Sequence, residues 1–79
     1  MIGDVPAYGR LRDISVPDIE AAIAVFRSMP GRSDWKVGEI EVVSQDEIRL
    51  YWGQAGGSYD IMKRVRGKWC HGGGVVVTS

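Results

Sequence analysis

The sequence predicts an α+β fold: one N-terminal helix at about 16–28, packed on a four-stranded antiparallel meander at about 36–43, 47–52, 58–64 and 68–78. Three observations predict it. Between Ser15 and Gly31 the apolar residues recur at three- and four-residue spacing, which is one face of a helix. From Trp35 onward apolar and polar residues alternate, which is the period of strands. The connections between the alternating runs are short, and short connections make neighbouring strands antiparallel. A chain of 79 residues has room for a single domain, residues 1–79.

The first fourteen residues read as an irregular arm, broken by Pro6 and Gly9 and anchored by Leu11 and Ile14. Ser15 is a good N-cap for the helix that follows, and Asp18 sits near the positive end of its dipole. Pro17 falls in the first turn, where its missing N–H would be unpaired anyway. Ile19, Ala22, Ile23, Phe26 and Met29 form the apolar stripe. Pro30 pushes residue 29 out of helical geometry, and Gly31 can take positive φ, so the helix ends there.

Registers follow from keeping apolar residues on one face. A loop of Ser44 to Asp46 pairs Val42 with Ile48, Ile40 with Leu50 and Gly38 with Trp52, and sets Glu41 opposite Arg49. Trp52 then covers the bare backbone at Gly38. In the next pair, Trp52 opposite Tyr59 places Leu50 across from Ile61 and Glu47 across from Arg64. A three-residue loop Val65-Arg66-Gly67 turns Trp69 inward with Tyr59 and Ile61. A two-residue Arg66-Gly67 turn would instead send Trp69 outward. Gly72, Gly73 and Gly74 predict a bend or bulge in the last strand. The expected core face is Ile40, Val42, Ile48, Leu50, Trp52, Ile61 and Trp69.

Ten basic and ten acidic residues balance to zero, so the overall charge does not favour nucleic acid. Cys70 is the one cysteine, which excludes an intrachain disulfide and a cysteine-rich zinc site. No cofactor or metal is expected. The N-terminus has neither the basic nor the apolar region of a leader, and no run has the length of a membrane span. A bacterial cytoplasm is the expected compartment.

The strings that suggest chemistry have plainer readings. His71-Gly72-Gly73-Gly74 matches an oxyanion-hole string of lipases, but no G-x-S-x-G elbow accompanies it. Cys70 and His71 are adjacent, so on a strand they point to opposite faces and form no nucleophile–base pair. The loop Gly53–Ser58 is not a phosphate-binding pattern and does not lead into a helix. No catalytic residue is assigned. Glu39, Glu41, Asp46 and Glu47 make the first hairpin acidic, and Lys63, Arg64, Arg66 and Lys68 make the third basic. Such complementary patches suit two copies of one chain.

The runs Ile40–Val43, Ile48–Trp52 and Tyr59–Trp69, the last closing on Gly67-Lys68-Trp69, resemble the sheet half of cystatin-like, nuclear-transport-factor-2-like proteins. The resemblance covers about 30 residues. It implies a curved sheet with Tyr59 and Trp69 lining its concave face. Members of that family carry several N-terminal helices around a pocket, whereas this chain offers one.

One helix cannot cover four strands, so apolar area around Trp35, Tyr51, Met62 and Val75–Val77 is expected to need a partner. The function expected is therefore that of a non-enzymatic binding or interaction domain working as a homo-oligomer, a dimer in the simplest case. The alternative is a small-molecule site, or a minimal enzyme, in an aromatic pocket of Trp52, Tyr59, Trp69 and His71.

Overall fold

The structure is a computed structural model that describes residues 5–31, 33, 36–52 and 57–76. In chain order, strand β1 (Ala7–Gly9) is followed by a 3-10 turn (Leu11–Asp13) and helix α1 (Val16–Ser28). Strands β2 (Glu39–Ser44), β3 (Glu47–Tyr51), β4 (Tyr59–Val65) and β5 (Lys68–Val75) complete it. The sheet has five strands in the order β1-β2-β3-β4-β5. The architecture is thus α+β, one helix on a mixed sheet.

Helix α1 matches its expected limits. The Ser15 hydroxyl accepts from the Asp18 backbone N–H at 3.3 Å and donates to the Asp18 carboxylate at 2.8 Å. That bond, helped by Arg64 at 3.2 Å, holds the Asp18 carboxyl below its usual range. Ile19, Ala22 and Phe26 are buried, and Ile23 packs beside them. The arm expected over 1–14 is corrected in part. Ala7–Gly9 pair in parallel with β2, Ala7 opposite Ile40 and Gly9 opposite Val42. A strand, a helix and a returning strand make a crossover, which sets the flanking strands parallel with the helix on one side. Gly9 is required there: its φ is +91°, and a Cβ would meet the Val42 carbonyl oxygen at 2.4 Å.

The first antiparallel register holds, with Ile40 opposite Leu50, Glu41 opposite Arg49 and Val42 opposite Ile48. The loop differs in form. The turn itself is Gln45-Asp46, and a shift between Val42 and Ser44 absorbs the extra residue. Gly38 donates to the Tyr51 carbonyl at 2.7 Å.

The next two registers are each corrected by one residue. Leu50 lies opposite Asp60 rather than Ile61, Tyr51 opposite Tyr59, and Glu47 opposite Lys63 rather than Arg64. Met62 is therefore in the core, fully buried, and Ile61 is on the other face, half-buried. The cost is a carboxylate, Asp60, turned to the core side, and His71 offsets it with a hydrogen bond at 3.1 Å. Arg66 (φ +54°) and Gly67 (φ +78°) then form a two-residue turn, with Val65 opposite Lys68. That turn does not send Trp69 outward. Both connections differ by one residue from expectation, the differences cancel, and Trp69 is 9% exposed on the core side.

The core lies between α1 and one face of the sheet: Ile19, Ala22, Phe26, Val37, Ile40, Val42, Ile48, Leu50, Met62 and Trp69. Helix α1 packs chiefly on β5, with β4 and β3 beyond. Arg64 locks the layers together. It reaches Asp18 on α1 at 3.2 Å and Asp46 at 3.2 Å, donates to the Gln45 carbonyl, and lies over the Trp69 ring at 5.4 Å. Among the described residues no helix is long and apolar enough to cross a membrane.

Candidate functional site

Side chains alternate along every strand, so the register decides which of the expected site residues meet. Trp52, Trp69 and His71 lie on the helix side. Trp52 packs against the core, and Trp69 is part of it. Tyr59 lies on the opposite face, because Tyr51 is its cross-strand neighbour. Tyr59 is therefore separated by the sheet from Trp52, Trp69 and His71, and the four expected residues do not share one face. An open depression lined by Gly9, Arg10, Leu11, Arg12 and Asp13 contains none of them.

His71 does acquire a partner. Its Nε2 is 3.1 Å from Asp60 Oδ1, with the carboxylate 2% exposed and the imidazole at the surface. Gly74 lies against the same carboxylate, and a Cβ there would meet Oδ1 at 2.4 Å. The pair joins β4 to β5 diagonally and places a titratable ring at the margin of the core. Cys70 points to the other face, as adjacency on a strand requires, with its Sγ 3.4 Å from the Lys63 carbonyl. Among the described residues no three His, Cys, Asp or Glu side chains come together to hold a metal.

The face away from α1 carries a second constellation, which residue patterns in the sequence did not single out. The Tyr51 hydroxyl donates to Glu41 at 2.9 Å. Arg49 lies 3.8 Å from Glu41 and 3.9 Å from Glu47, and its guanidinium sits 5.2 Å from the Tyr59 ring centre. The Tyr51 and Tyr59 rings are 4.9 Å apart and tilted by 47°. Tyr8 of β1 joins the row through a long contact to Glu39 at 3.4 Å. Partial burial, with Tyr51, Glu41 and Glu39 as neighbours, pushes the Tyr8 hydroxyl up to about 12. Burial and the bond to Glu41 also push Tyr51 up. The bond with Tyr51 and the surrounding negative groups raise Arg49.

Chemically, this is a flat array of ring faces, hydroxyls and paired charges. It has no isolated nucleophile and no enclosed volume. It can present contact area at low entropic cost, since tyrosines have few rotors. The signal available in the sequence was the register: once Tyr51 and Tyr59 are paired, Arg49 must lie beside both. No family model, no characterised protein and no solved structure matches the chain.

Proposed function

We propose that the chain is a non-enzymatic interaction domain that works as a homo-oligomer. The observation that carries this reading is the side of the sheet away from α1, which no described element covers. Helix α1 packs on the other face, and the open face shows Tyr8, Tyr51, Tyr59, Ile61 and Arg49 in one surface. A small domain with one cysteine, and so no intrachain disulfide, gains from burying such surface against another molecule. Tyrosine and arginine are also the residue types enriched where proteins meet. Catalysis is not part of the reading, because the hydroxyl–carboxylate pairs among the described residues serve the fold: Ser15 with Asp18 caps α1, and Tyr51 with Glu41 ties β3 to β2.

Sedimentation equilibrium across the micromolar range tests it. The expected result is a mass of two or more chains that falls on dilution. A single-chain mass at every concentration rejects the proposal.

A further inference from the structure

Strand β5 is an edge strand of eight residues, and among the described residues no strand lies beside its outer backbone groups. Natural sheets blunt such edges with proline, charge or brevity. The opposite edge, β1, obeys: it is three residues long and follows Pro6. Strand β5 is longer and carries Lys68 at its start and the bulge at Gly72, but from Trp69 to Val76 it has no proline and no Lys, Arg, Asp or Glu, and Val75 and Val76 are 40% and 67% exposed at its end.

The backbone of β5 also has a symmetry. Arg64 donates to Asp46 and Trp52 to Ser58, so even-numbered residues of β4 turn their backbone groups toward β3. Odd-numbered ones turn toward β5. Their partners Lys68, Cys70, Gly73 and Val75 therefore bond inward, while Trp69, His71 and Gly74 bond outward. The register shift places Gly72 as the extra residue between His71 and Gly73. A bulged strand cannot pair along its whole length in an arbitrary register, because bonding direction and side-chain face change at the bulge.

We propose that β5 pairs antiparallel with β5 of a second copy, about a two-fold axis between Gly72 and Gly73. The inference rests on the homo-oligomer reading and names its interface. In this register the outward groups of His71 meet those of Gly74 of the other copy. Cys70 and Val75 of the other copy then form a pair without hydrogen bonds. Both lie on the face away from α1, Cys70 beside Lys63 and Val75 beside Tyr59. Trp69 meets Val76, so the two exposed valines are covered. Two glycines flank the axis: a Cβ at Gly73 would meet nothing within 4 Å, and the flexible Lys63 side chain lies against Gly72. The occupant is a second copy because the outward groups from Trp69 to Val76 complement themselves. Closure is also built in: with both β5 edges consumed, only the short β1 edges remain, which gives a dimer and not a fibre.

Position 75 tests the register. It falls diagonally beside Lys68 of the other copy, so V75K adds a like charge across the interface and V75E an opposite one. V75K is expected to weaken dimerisation by about tenfold or more, and V75E to retain it. Within one chain position 75 lies beside Tyr59, over which Arg49 sits, so the melting temperature of each variant is measured beside its dimer mass. V75C, oxidised, is expected to give a covalent dimer joined from Cys70 to position 75 of the other copy. The two positions lie too far apart along one strand to close within a chain. V16C, an exposed position at the start of α1 that the proposed pairing does not use, serves as control. A wild-type dimer that ignores both charges and does not cross-link at 70–75 overturns the interface and leaves the oligomer reading standing. A wild-type monomer overturns both.

Discussion

The two faces of the sheet are built from alternate residues of the same strands, and they differ in kind. On β3, Ile48 and Leu50 are fully buried under α1, while Glu47, Arg49 and Tyr51 on the other side keep part of their surface in water. The helix side is held by area removed from water, which is non-directional and large in sum. The outer side is held by directed contacts: Tyr51 to Glu41, Arg49 to Glu41 and Glu47, Arg49 over Tyr59. Each of those is worth little when exposed, on the order of 0–1 kcal/mol. The comparison teaches that the burial that holds the fold and the directed polar contacts are separated by a single peptide unit. Substitutions on the outer face are therefore expected to cost less than those on the inner one.

Adjacent substitutions on β3 give the strongest way to break that comparison. L50A is expected to cost about 2–5 kcal/mol, by lost transfer energy and a cavity. R49A, one residue earlier, is expected to cost about 1 kcal/mol or less. Thermal unfolding followed by tryptophan fluorescence reads both. Equal effects would mean that the outer network carries as much of the fold as the core does.

The next test addresses the one place where the helix side is polar. Asp60 is buried, and its Oδ1 lies 3.1 Å from His71 Nε2. D60A removes a hydrogen-bonded buried group and leaves its partners unmatched, an expected loss of about 1–3 kcal/mol. H71Q is expected to cost less, because the ring lies at the surface and an amide can still donate to the carboxylate. Urea titration of the two variants ranks them. If H71Q proves the costlier, the pair is anchored by the ring and not by the buried acid.

Much of the fold was legible, and the misses have one physical source. The helix was readable to the residue because its cap, its stripe and its Pro-Gly stop all agree. The first hairpin register was readable because only one register keeps acids off the apolar face. From β4 onward that rule misleads. It prefers Ile61 over Asp60 on the core side, since local pattern carries no sign that His71 will lie across from Met62 and reach the acid. The second turn was masked by Arg66, which adopts the positive φ that Asn or Gly usually supplies at that position. Strand β1 was missed because three residues are too few to show a period. Its only signal was order: a strand-like Val5–Tyr8 before a helix invites a parallel return. The candidate site suffered from the same one-residue difference, which moved Tyr59 to the outer face and left Trp52, Trp69 and His71 on the inner one.

The smallest expected effect sharpens the comparison from the outer side. Tyr8 is pushed up to about 12 from its ordinary 10.0, and Tyr51 is pushed in the same direction. Their folded values exceed their unfolded ones, so the neutral hydroxyls favour the folded state. That contribution is complete below pH 10 and is lost as pH rises from 10 toward 12. Tyr8 is 42% exposed, so solvent screens the effect and the loss is modest. The expected result is a gentle fall in melting temperature over that window, which Y8F flattens in part. The inner face has no tyrosine, so L50A should shift the whole pH profile down without changing its slope there. An alkaline slope that Y8F leaves untouched would place the titrating group elsewhere and would detach Tyr8 from the outer network.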